Sequence, residues 1–171
     1  MVGISDIKWA RQVEVGARCL TGRSVILTRV PQRTESDCVI AVVATVMGVP
    51  YTYEKVCEDQ RRYPKVSAEG LHFSWWETYL RDEGFPNEYH SLADLNPAVR
   101  AGTVVGIVML APAGGCNIGH VIAVDELGCI NPATDWPERI STLDELLAEY
   151  ERLGCPYTPD SQFLAIWRNS L

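Results

Sequence analysis

The chain predicts an α+β fold, a helical half packed on an antiparallel β-sheet, and three stretches carry that prediction. The first is Cys38–Met47, C-V-I-A-V-V-A-T-V-M, where only Thr45 interrupts the apolar run after Cys38. A helix apolar on every side must be buried in protein or lipid. About 10 residues fall well short of the roughly 20 needed to span a bilayer, so this is a central helix of a core. The second stretch is Thr103–Leu110, T-V-V-G-I-V-M-L, bounded by Gly102 and Pro112, which reads as a fully buried strand. The third is Val121–Val124, V-I-A-V, followed by Asp125-Glu126-Leu127-Gly128. Asp at the first and Gly at the fourth position of a type I turn predict a tight hairpin with a bulge at Gly128.

The other elements follow in order. Residues 1–24 hold Ile4, Ile7 and Trp9 in a short helix or arm, and Ser24–Val30 is β-rich and reads as a strand leading into Pro31. Thr34, Ser36 and Asp37 are good caps, so the central helix begins at Ser36 or Asp37 and stops at Gly48. Thr52 caps a second helix running to about Arg62, which Pro64 ends. Ser67–Gly70 is a loop, and a third helix spans about Leu71–Glu83, with Leu71, Trp75, Thr78 and Tyr79 on one face as core packing. Asn87–Ser91 is a short polar strand, and Leu92–Val99 a turn with a helical start at Asn96-Pro97. Ala113–Gly119 is a glycine-rich loop that delivers His120 to its strand. Ser141 or Thr142 caps a last helix with the apolar stripe Leu143, Leu146, Leu147 and Tyr150, ended by Gly154. Cys155–Pro159 is a loop, and Phe163–Trp167 the final strand.

Residues 1–171 suit a single domain, with neither internal repeat nor low-complexity segment. The net charge of −7 without a basic cluster makes nucleic acid and anionic membrane poor partners. No apolar signal region follows Met1 and no run is long enough to cross a membrane, so a cytoplasmic, stand-alone domain is expected. In that compartment the six cysteines are free thiols. Cys116, His120, Cys129 and Cys155 raise the question of zinc, but they include no C-x-x-C pair, and neither a metal nor an organic cofactor is expected.

The chemistry centres on Cys38. A lone cysteine beside an apolar run is by itself a small core residue. Here it falls in the first turn of a helix, where the dipole favours the reactive thiolate. Gln32 lies six residues upstream, Gly119-His120 opens a later strand, and Asn131-Pro132 follows the hairpin turn. A helix-start Cys, a later His and a later Asn or Asp, with an amide donor before the Cys, is the arrangement of papain-like thiol hydrolases. His120 takes the thiol proton, Asn131 orients the imidazole, and Gln32 with the Cys38 N–H donates to the oxyanion of a tetrahedral intermediate. If Asp125 pairs with Cys129, Asn131 falls opposite Ala123, about 10 Å of strand from His120. Asp135 is the fallback orienter. His72, on an exposed-looking helix without an orienting partner nearby, and His90, in the short polar strand, rank below His120 as bases.

The segment V-P-Q-R-T-E-S-D-C-V-I-A-V-V-A-T-V-M-G-V-P-Y resembles the nucleophile segment of the bacteriocin-processing, double-glycine peptidases, and G-H-V-I-A-V and N-P-A resemble that family's His strand and Asp-Pro-Ala segment. The likeness runs from about residue 27 to 135. It implies a small papain-like domain that cleaves an extended peptide after small residues, often Gly-Gly, with peptide or protein substrates as partners. The chain departs from the family's pattern in having Val39 where Gly is usual, Asn131 where Asp is usual, and a short His-to-Asn spacing. Two other classes fit the same residues: a papain-fold amidase, deconjugating hydrolase or acyltransferase, and a catalytically silent papain-fold binding module.

Overall fold

The computed structural model describes residues 26–63, 74–102, 104–114 and 118–167. The predicted N-terminal arm, the start of the Ser24–Val30 strand, the Ser67–Gly70 loop, the first residues of the third helix with His72, and Cys116 in the glycine loop lie outside the described residues. Five helices and five strands are described: α1 Cys38–Met47, α2 Tyr53–Asp59, α3 Ser74–Asp82, β1 Asn87–Ser91, α4 Leu95–Arg100, β2 Val104–Pro112, β3 His120–Asp125, β4 Gly128–Ile130, α5 Leu143–Arg152 and β5 Tyr157–Trp167. Short 3₁₀ turns at Gln60–Arg62 and Leu92–Asp94 adjoin α2 and α4.

The strands form one antiparallel sheet in the order β1-β5-β2-β3-β4. Side chains alternate between its faces with the two-residue period of a strand. Val105, Ile107, Ala123, Leu164 and Ile166 point toward α1, α2 and α3, where they meet Val42, Val43, Val46 and Trp76. Val108, Leu110, Ile122, Val124 and Phe163 point the other way, onto Leu95 of α4 and Leu146 and Tyr150 of α5. Helices cover both faces, which is why Val104–Leu110 is apolar throughout rather than alternating.

Helix α1 is buried at nine of its ten residues, as its composition requires. Each of its large aliphatic side chains contributes about 1.5–3 kcal/mol on burial. Its one polar side chain in the apolar run, Thr45, accepts a 2.8 Å hydrogen bond from the Val30 N–H. Helices α2 and α5 begin at caps of the expected kind: Thr52 accepts from the Lys55 N–H and Thr142 from the Glu145 N–H.

Three expectations are corrected. The described part of the Ser24–Val30 stretch is not a strand. Its backbone is held by side chains: Leu27 donates to Asp125 Oδ2 at 2.9 Å and accepts from Arg139 Nη2 at 3.0 Å, while Val30 donates to Thr45. These partners supply what a ladder would have supplied. The final strand starts at Tyr157, not Phe163, because β2 continues to Pro112 and pairs with Tyr157–Pro159 across a register shift between Val108 and Leu110. β1 pairs only as far as Gln162, so Pro159, which lacks an N–H, meets no second strand on that side.

The third correction concerns the hairpin. Asp125 pairs with Gly128 and Ala123 with Ile130, so Asn131, one residue past the ladder, falls level with Ile122 rather than Ala123. A one-residue slip turns a side chain to the other face of a sheet. The observed register therefore puts Asn131 on the same face as Ile122 and His120, and two residues from His120 instead of three.

Candidate active site

The four predicted site residues come from four places in the fold. Cys38 is the first residue of α1, His120 opens β3, Asn131 follows β4, and Gln32 lies in the segment before α1. Cys38 and His120 line one open cleft of about 850 Å³, walled by Val39, Met109, Ile118 and Val121 and edged by Ser36, Asp160 and Ser161.

Asn131 is completely buried. Its Oδ1 lies 2.9 Å from His120 Nε2 and accepts from the Ala133 N–H at 3.1 Å. A backbone N–H can only donate, so this bond fixes which end of the carboxamide is oxygen. The same oxygen then requires His120 Nε2 to carry a proton. In the neutral ring, Nδ1 is the basic nitrogen. The side chain hydrogen-bonded to His120 is thus Asn131, whereas the fallback Asp135 is exposed and borders a separate pocket with Trp136, Glu149 and Arg152.

Tyr150 belongs to the apolar stripe of the last helix. It is buried there, but its hydroxyl also accepts from Asn131 Nδ2 at 2.7 Å. Its ring stands edge-on to His120 at 5.9 Å and packs against Trp136 at 4.2 Å and Tyr157 at 4.7 Å. Tyr157 donates to the Ile118 carbonyl at 3.1 Å, tying the loop before His120 to β5. A buried tyrosine whose hydroxyl must find a partner was the available signal.

Asp37 occupies the N-cap position of α1, but its side chain makes no cap bond. The carboxylate turns backward, accepting from the Arg33 and Thr34 N–H groups at 3.1–3.2 Å and from the Tyr53 hydroxyl. Asp37 thereby organises the loop behind Gln32 and leaves the first-turn N–H groups of α1 uncapped by its side chain. The Gln32 backbone donates to the Pro132 carbonyl at 2.9 Å, joining this segment to the residue after Asn131. The Gln32 side chain donates through Nε2 to the Thr34 carbonyl at 3.2 Å, and its Oε1 is buried with no hydrogen-bond partner.

The titration of the pair differs from the thiolate expected at a helix start. Burial pushes the Cys38 thiol above its ordinary value of 9.0; backbone hydrogen bonds from Val121 and Val39 offset part of this. Burial likewise moves His120 below 6.5, against the opposing effect of Asn131. Cys38 is only 5% exposed, and there desolvation of the charged form outweighs those backbone hydrogen bonds. Both shifts favour the neutral forms, a thiol and an uncharged imidazole.

A cysteine at the start of a buried helix, facing the end of an antiparallel sheet that carries a histidine–asparagine pair, defines a papain-like peptidase fold. Among solved structures, the crystal structure of the peptidase domain of Streptococcus ComA, a bi-functional ABC transporter involved in a quorum-sensing pathway, has this fold: TM-score 0.55, 20% identity, covering 82% of this chain and 97% of that one. No protein-family model and no curated protein sequence matches the chain.

Proposed function

We propose that the protein is a cysteine peptidase-like hydrolase that cleaves a peptide or isopeptide bond, with Cys38 as nucleophile, His120 as base, Asn131 as orienter and Gln32 as oxyanion donor. The observation that carries the reading is the carboxamide of Asn131 held between the Ala133 N–H and His120 Nε2, in a cleft that His120 shares with Cys38. A merely structural histidine has no need of a fixed tautomer that leaves Nδ1 basic in a cleft that a thiol also lines.

The steps follow from the resting state. As Cys38 Sγ bonds to the carbonyl carbon, its proton passes to His120 Nδ1 and the carbonyl π electrons move to oxygen. The Cys38 N–H, at the uncapped start of α1, faces that oxyanion, and Gln32 joins it by leaving Thr34; one such donor is worth about 3 kcal/mol of barrier. The C–N bond then breaks as His120 protonates the amine. Water adds to the thioester, giving its proton to His120, and the C–S bond breaks to release the acid and the thiol. The resemblance to double-glycine peptidases points to an extended substrate with small residues before the scissile bond. Val39, half-buried in the cleft wall where that family usually has Gly, narrows the space for side chains there.

The test is a mixture of extended peptides, with and without Gly-Gly, incubated with the protein and read by mass spectrometry. Cleavage that disappears in Cys38→Ala supports the reading, and the products separate a peptidase from an amidase or acyltransferase. Equal turnover by the wild type and Cys38→Ala contradicts it.

A further inference from the structure

We infer that Tyr150 is a positioning residue, which sets the tautomer of His120 through Asn131; this rests on the hydrolase reading above. A buried carboxamide has two ends to satisfy. The oxygen of Asn131 takes two donors, Ala133 N–H and His120 Nε2. The nitrogen end gives its proton to Tyr150 Oη at 2.7 Å. Asn131 is 0% exposed, so water is not at hand to replace that acceptor.

Without the hydroxyl, the arrangement that leaves Nε2 protonated has a stranded buried N–H. Turned over, the carboxamide would give that N–H to Nε2, with the ring proton moved to Nδ1. That form loses both bonds to Oδ1 and leaves the Ala133 N–H without its acceptor, but Ala133 is half-buried where Asn131 is fully buried, so the donor left over is the one nearer solvent, and the ring could no longer accept from the thiol at Nδ1. Tyr150 removes the incentive to turn over. It is well fixed for this task, on a helix capped by Thr142 and wedged between Trp136, Tyr157 and the His120 ring. The ring contacts alone would be met by phenylalanine, so the hydroxyl is the part assigned this role.

The experiment uses the whole chain with ¹⁵N-labelled histidine. Nitrogen shifts of His120, assigned by its loss in His120→Ala, are read in the wild type and in Tyr150→Phe at a pH where the ring is neutral. The wild type shows Nε2 protonated and Nδ1 bare. Tyr150→Phe shows a mixture, and its Cys38 alkylation rate falls about tenfold, the size expected of one neutral hydrogen bond. If Tyr150→Phe does not fold, 3-fluorotyrosine placed at position 150 keeps the shape and weakens the acceptor oxygen, and a partial shift toward the mixture is expected. An unchanged tautomer and rate in the folded variant overturn the inference. The hydrolase reading fails separately, if His120→Ala alkylates at Cys38 as fast as the wild type.

Discussion

At the residue scale the site is a chain of single hydrogen bonds with defined directions. Desolvation raises the Cys38 thiol and lowers the half-buried His120, so both shifts favour the neutral forms, and in the proposed reaction the proton moves only as the thiol attacks. The neutral carboxamide of Asn131 suits that state, since it orients the ring without charging it. Asn131→Asp tests this. A carboxylate still accepts from Ala133 and His120, and the Tyr150 hydroxyl can reverse and donate to it. An opposite charge at hydrogen-bond distance favours imidazolium, so the His120 titration moves upward from its wild-type position. Proton NMR titration of His120 in both proteins checks the direction. A titration that stays put or moves downward would mean that position 131 does not govern the ring.

At the element scale, the short β3–β4 hairpin sets the position of Asn131. The sequence marks both its strand and its turn, yet a slip of one residue in pairing separates a residue facing His120 from one facing away. That slip is decided by Gly128 and by contacts beyond the hairpin. Gly128 has φ 130°, and a Cβ there would lie 2.3 Å from the Ile140 carbonyl oxygen and 2.9 Å from that of Ser141. Both obstacles are backbone, and Cys129 exchanges hydrogen bonds with Ile140 at 2.7 and 2.9 Å. Gly128→Ala is therefore expected to lower the unfolding free energy by about 3 kcal/mol in urea denaturation. A stability within a few tenths of the wild type would show that the hairpin has room the structure does not give it. The buried helix α1, the buried strand β2 and the capped helices were legible because their signals are local: an apolar run, a cap, a glycine. The held segment at Leu27–Val30 and the role of Tyr150 were not, because their partners are distant in sequence, as with the 98 residues from Leu27 to Asp125.

At the scale of the whole molecule, the segment before α1 is laced to the sheet, and this joins the half with Cys38 to the half with His120. Asp125 is 1% exposed and pairs with Arg139; between them they hold both backbone groups of Leu27. Arg29 reaches the carbonyls of Ala133 at 3.3 Å and Trp136 at 2.9 Å, and Gln32 binds that of Pro132. Asp125→Leu leaves Arg139 unpaired and the Leu27 N–H stranded. Breaking a buried pair from one side costs about 3–5 kcal/mol, so the urea midpoint should fall by the corresponding amount. A loss under about 1 kcal/mol, the range of an exposed pair, would mean that this lacing adds little. The three members of the candidate triad lie far apart in the chain, and motif order in the sequence marks all three. The register of the hairpin and the charge state of the pair came only from the folded surroundings.

The most direct measurement is the pH dependence of iodoacetamide alkylation at Cys38, followed by mass spectrometry in the wild type and in His120→Ala. Buried Cys129, whose thiol is pushed up to about 12, serves as the inert internal reference. The wild-type rate is expected to rise as His120 loses its proton, with a midpoint below 6.5, and to rise again above pH 9 as the thiol itself ionises. In His120→Ala the first rise is absent and only the alkaline one remains. Identical profiles in the two proteins, with Cys38 as slow as Cys129 near neutral pH, would contradict the claim that Cys38 and His120 act as one chemical unit.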